Sequence, residues 1–125
     1  MKPAETTWTI LVVDRNPNVR RYLLRELALE GYRVLMAENC RSVMRLIRDE
    51  AKFDLVILDP DLPDDGTEPL LQTLRHECPG TPVIIHALIT EDIIQENTEN
   101  NMDFVEKDGR SIEHLKRVIV HRLAR

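Results

Sequence analysis

The sequence predicts a three-layer α/β sandwich, a doubly wound parallel sheet covered by helices on both faces. Two observations predict it. Short β-rich apolar runs alternate with segments of helical period along the chain. The runs are apolar at consecutive positions, as strands buried on both faces are, and the short connections between them read as repeated βα units. The 125 residues suit one domain over 1–125, with residues 1–7 expected as a flexible N-terminus.

Taken in order, Ile10-Leu11-Val12-Val13 is the first strand. Asn16 then caps a helix that begins at Pro17, where proline is favoured because its missing N–H has no helical partner. Val19, Leu23 and Leu27 give that helix its apolar stripe, with Leu24 and Ala28 beside it, and Gly31 ends it. Val34-Leu35-Met36 is the second strand, and Val43, Leu46 and Ile47 mark the second helix. Leu55-Val56-Ile57-Leu58 is the third strand, followed by a helix on Leu70, Leu71 and Leu74 that Pro79-Gly80 closes. Val83-Ile84-Ile85 is the fourth strand. The segment from Thr90 to Asn101 holds only Ile93 and Ile94 as strong apolar residues, so a short, solvated helix is expected there. Phe104-Val105 is a weak fifth strand, and the last helix starts at Ser111 with Ile112, Leu115, Val118, Ile119 and Leu123 on its apolar side.

Composition narrows the function. Apolar residues at 42% and charged residues at 31% describe a soluble globular chain, and a net charge of −5 argues against direct nucleic-acid contact or an anionic membrane surface. Cys40 and Cys78 stand in no CxxC pair or Cys/His cluster, so reduced thiols are expected. The N-terminus lacks the apolar run of a signal peptide and no apolar run is membrane length, so a cytoplasmic chain with no membrane partner is expected. Four glycines form no phosphate loop, and His76, His86, His114 and His121 have no zinc-ligand spacing.

In doubly wound sheets, ligands bind beyond the carboxyl ends of the strands. There the chain sets Asp14 and Arg15 after strand one, Asp59, Pro60 and Asp61 after strand three, His86 and Ala87 after strand four, and Lys107 after strand five. Close carboxylates need a cation between them, and oxygen donors suit Mg²⁺. An ionised Asp beside such a centre can attack phosphorus, while a lysine offsets charge on the equatorial oxygens. A single Asp after a strand is more often a loop cap. The joint placement on strands one, three and five is what points to chemistry.

These residues carry a family resemblance. Ile10-Leu11-Val12-Val13-Asp14 with Asn16-Pro17 resembles the opening of receiver domains in bacterial two-component response regulators. Phe53-Asp54-Leu55-Val56-Ile57-Leu58-Asp59, with Pro63 and Gly66 following, resembles their phosphoacceptor segment, and Thr81-Pro82-Val83-Ile84-Ile85 their fourth strand. Asp103-Phe104-Val105-Glu106-Lys107 resembles the fifth strand with its lysine. The resemblance implies a flavodoxin-like five-stranded sheet of order 2-1-3-4-5. It implies a signalling module, not an enzyme, in which Asp59 accepts a phosphoryl group from a histidine kinase or phosphotransfer protein. Asp14, Asp59 and the main chain of Asp61 would form the acid pocket for Mg²⁺, Lys107 would contact the phosphoryl group, and Ala87 and Phe104 stand at the switch positions. A kinase or phosphotransfer helix would dock near the basic face of Arg20, Arg21 and Arg25; the output partner is not identified.

The chain also departs from the family. Arg15 replaces a second acid that is a direct metal ligand, Ala87 replaces a Ser or Thr, and Asp108 replaces a proline. At about 4 Å and an effective dielectric near 20, each unit-charge interaction is worth roughly 4 kcal/mol, so Arg15 is expected to weaken Mg²⁺ binding and to pair with Asp59 or Asp61. Ala87 cannot hydrogen-bond a phosphoryl oxygen. Alternation turns His86 away from the side Ala87 faces, so a packed or surface imidazole is expected. The alternative is therefore a pseudo-receiver, a binding module not regulated by phosphorylation. A third reading takes Asp59-Pro60-Asp61 as the DxD of a haloacid-dehalogenase-type phosphatase, with Asp61 as acid/base. The motif falls on the wrong strand for that family, and the chain has no room for a cap domain.

Overall fold

The computed structural model describes residues 7–64, 66–88 and 101–123. Five parallel strands, β1 (Thr9–Val13), β2 (Arg33–Ala37), β3 (Leu55–Leu58), β4 (Val83–Ala87) and β5 (Met102–Glu106), lie in the order β2-β1-β3-β4-β5. The helices are α1 (Pro17–Leu29), α2 (Cys40–Arg48), α3 (Thr67–Glu77) and α4 (Ser111–Leu123). The helix expected over Thr90 to Asn101 falls outside the described residues, apart from Asn101. No described helix is long and apolar enough to cross a membrane.

Strand alternation divides the core into two layers. Ile10, Val12, Leu55, Ile57, Ile84 and Val105 face Leu23 and Leu27 of α1 and Leu115 and Ile119 of α4. Leu11, Val13, Val56, Leu58, Ile85 and Ala87 face Val43 of α2 and Leu70, Leu71 and Leu74 of α3. β1, β3 and β4 are buried on both faces, apart from the half-buried first residue of β1. β2 departs from this, with Arg33 and Met36 exposed, because it is the sheet edge and only one neighbour covers it. The fifth strand is stronger than its two apolar residues suggest, pairing over all five residues with β4.

The helix ends follow the local code. The Asn16 side chain accepts from Asn18 N–H, and Asn39 Oδ1 accepts from Ser42 N–H at 2.8 Å. Gly31, at φ +94°, ends α1 with Tyr32 N–H bonded to Leu27 C=O and its own N–H to Ala28 C=O. Glu50 takes the same role after α2 at φ 59°, where a side chain is disfavoured.

Candidate functional site

Ladder bonds carry the chain past the end of each strand and so fix the first residue beyond it. Asp14 N–H bonds Ala37 C=O at 3.1 Å, Asp59 N–H bonds Val13 C=O at 2.8 Å, and Lys107 N–H bonds Ala87 C=O at 2.8 Å. The register that pairs Val13 with Leu58 sets Asp14 beside Asp59 at the carboxyl edge. Both carboxylates are buried, at 2% and 1% exposure, which a charge tolerates only with partners.

The partners are present. Lys107 Nζ lies 2.9 Å from Asp14 Oδ2 and 3.7 Å from Asp59 Oδ2. The other Asp14 oxygen accepts from Asn16 N–H at 2.9 Å, and the other Asp59 oxygen accepts from Asp61 N–H at 2.9 Å. Arg15 closes the hollow from solvent. Its Nη1 donates to Asp61 C=O at 3.2 Å, its Nε is 3.7 Å from Asp59 Oδ2, and its own N–H reaches that oxygen at 3.4 Å. Two buried carboxylates thus face two cations.

The oxygen donors that would hold Mg²⁺ are the carboxylates of Asp14 and Asp59 and the carbonyl of Asp61. As placed, they do not fit the ion, because the Arg15 guanidinium already lies on the Asp61 carbonyl and beside Asp59. The Asp61 carboxylate itself is exposed. Ala87 and Phe104 sit in the other core layer, toward α2 and α3, and Ala87 presents a methyl group. His86 is buried at 3% exposure on the α1/α4 side, the face that Asp59 shares.

Two contributors escaped sequence reasoning. Arg20, assigned to a basic surface face, instead donates from Nη1 to the Asp14 carbonyl at 2.6 Å and pairs with Glu38 at 3.9 Å. Asp64 caps α2 from the loop after β3, accepting from Cys40 N–H at 3.1 Å and Arg41 N–H at 3.0 Å. The Cys40 N–H bond is the main reason its carboxyl is held below the usual range. Gly66 sits so close to Cys40 that an added Cβ would meet Cys40 Cβ at 2.9 Å. Nothing local signals either contact: Arg20 reaches back six residues to the Asp14 carbonyl, and Asp64 pairs with a helix start 24 residues earlier.

A family model described as Response regulator receiver domain matches residues 10–119. The probable transcriptional regulatory protein TcrX of Mycobacterium tuberculosis is 32% identical over 103 residues, 79% of this chain and 43% of that protein. The regulatory protein AtoC of Escherichia coli is 37% identical over 83 residues, 66% of this chain and 18% of that protein. The chain therefore spans less than half the length of either relative. Among solved structures, the response regulator TrrA of Thermotoga maritima, crystallised with Mg²⁺–BeF, superposes with a TM-score of 0.81 at 26% identity, covering 94% of this chain and all of that one.

Proposed function

This chain belongs to the response regulator receiver family, signalling modules of two-component systems and not enzymes, and from that membership we propose that Asp59 is its phosphoacceptor. The donor is a histidine kinase or a phosphotransfer protein, and the signal leaves by protein–protein contact with an output partner. An Asp59 carboxylate oxygen attacks the donor's phosphorus; the new O–P bond forms as the N–P bond breaks, and the donor imidazole leaves with its electron pair and takes up a proton. The observation that carries this reading is the convergence of Asp14, Asp59 and Lys107 in one buried hollow, with the Lys107 ammonium within 3.7 Å of both carboxylates. A cation held there offsets charge on the equatorial oxygens at no reorganisation cost.

The pocket is atypical. Arg15 supplies positive charge where the family resemblance implies a metal-ligand acid, and it engages two of the three oxygen donors. Mg²⁺ therefore binds weakly, competing with a guanidinium that cannot lose its proton. Ala87 offers no hydroxyl to a phosphoryl oxygen. The same two residues favour a second reading, a pseudo-receiver that binds partners without phosphorylation. Incubation with acetyl phosphate, with and without Mg²⁺, followed by intact mass measurement, separates the two. We expect a single phosphoryl adduct that Asp59→Asn abolishes; no adduct together with no Mg²⁺ binding would establish the pseudo-receiver.

A further inference from the structure

We propose that His86 is the hydrogen-bond donor that meets a phosphoryl group on Asp59, a role that rests on Asp59 being the acceptor. Three observations converge on it. Parallel pairing of Leu58 with Ile85 sets the next residues, Asp59 and His86, side by side, and both extend from the face that Ile57 and Ile84 share below them. Adjacent strands lie about 4.8 Å apart, so the phosphorus and oxygens added to Asp59 come within reach of the neighbouring side chain.

The second observation is the state of the ring. His86 is 3% exposed, and neither Nδ1 nor Nε2 has a hydrogen-bond partner among the described residues. Buried polar atoms are nearly always paired, because an unpaired one loses its water without recompense. An apolar side chain would fill the same layer without that penalty, so packing alone does not account for an imidazole here. An imidazole carries at least one N–H to donate in either protonation state.

The third observation is room. A cavity of about 360 Å³ opens beside the ring between α1 and the start of α4, walled by Tyr22, Leu23, Lys107, Asp108 and Ser111. The ring therefore is not packed on every side, and Lys107, which reaches Asp59, shares that cavity with it. Ala87, the next residue, brings no competing hydroxyl. The N–H thus replaces, from the opposite face of β4, the donor that Ala87 lacks.

The test uses the full chain held phosphorylated by excess acetyl phosphate, with intact mass reporting occupancy. Ring-nitrogen NMR of His86 is expected to shift on phosphorylation and to stay unchanged in Asp59→Asn. The gain in Tm on phosphorylation is expected to fall by roughly 5 °C in His86→Phe, the worth of one bond to a charged acceptor. His86→Gln, which keeps an amide N–H, should restore part of the gain. A side chain that only fills space would leave both readings unmoved. An adduct on the wild-type chain with no ring-nitrogen shift, and with the full Tm gain kept in His86→Phe, overturns this inference alone. No adduct on the wild-type chain overturns it together with the acceptor reading. If His86→Phe does not fold, the ring-nitrogen shift in the wild-type chain decides.

Discussion

Arg15 holds two of the oxygens a divalent ion would need, and its effect is separable from the rest of the pocket because its side chain is 54% exposed. Replacing it by aspartate removes a positive charge and adds a negative one beside Asp14 and Asp59. We expect Arg15→Asp to raise Mg²⁺ affinity at least about tenfold, or ~1.4 kcal/mol, by isothermal titration calorimetry; an unchanged affinity would show that the guanidinium leaves the pocket at no cost. His86 supplies a second residue-scale prediction, through pH. Its folded-state pKa is pushed from 6.5 down to about 4, so as pH falls the unfolded chain takes up the proton first. The stability contributed by the neutral ring is complete above about pH 6.5 and is lost progressively toward pH 4, by roughly 2–3 kcal/mol. Urea midpoints at pH 7 and pH 4 check this: the advantage of His86→Phe over the wild-type chain should widen as pH falls.

At the scale of elements, the loop after β3 is held at two points. Thr67 Oγ1 donates to Pro60 C=O at 2.8 Å, and Asp64 sits on the first N–H groups of α2, where negative charge also favours the helix dipole. That second clasp brings Gly66 against Cys40, whose thiol burial pushes up to about 11 and keeps protonated. A methyl group at Gly66 has no space on that side. We expect Gly66→Ala to cost roughly 1–3 kcal/mol in urea unfolding. Cys40→Ala should not rescue it, because the 2.9 Å approach is to Cys40 Cβ and not to the sulfur alone. The same clasp ties the loop residue Asp64, three positions after Asp61, to the start of α2.

For the whole molecule, the pocket depends on both core layers, since the sheet aligns three strand ends only while helices cover each face. α4 belongs to the layer beneath Asp14, Asp59 and His86, and it is tied outward by Lys116 to Glu26 of α1 and to Glu30 just past that helix, and by Arg122 Nε to Asp103 Oδ2 at 2.6 Å. Ile119 is fully buried in that layer. Ile119→Ala should lower the unfolding free energy by roughly 3 kcal/mol through the cavity it leaves. Leu29→Ala, at a side chain 77% exposed, should stay within about 0.5 kcal/mol in the same melts.

Much of this was legible in the chain before any coordinates. Runs such as Leu55–Leu58 declare a strand buried on both faces, Asn16-Pro17 and Gly31 bracket a helix, and strand-end placement singles out Asp14, Asp59 and Lys107. Each is a local pattern, written by backbone sterics, capping and hydrophobic period over a few neighbouring residues. Only the tertiary structure decided what those residues touch. It put Arg20 on the Asp14 carbonyl, Asp64 on the start of α2, and the His86 ring in the buried layer that Asp59 shares, with no hydrogen-bond partner among the described residues. These contacts join residues on different elements, and their geometry follows from how strands pair and loops return, which no short stretch of sequence encodes.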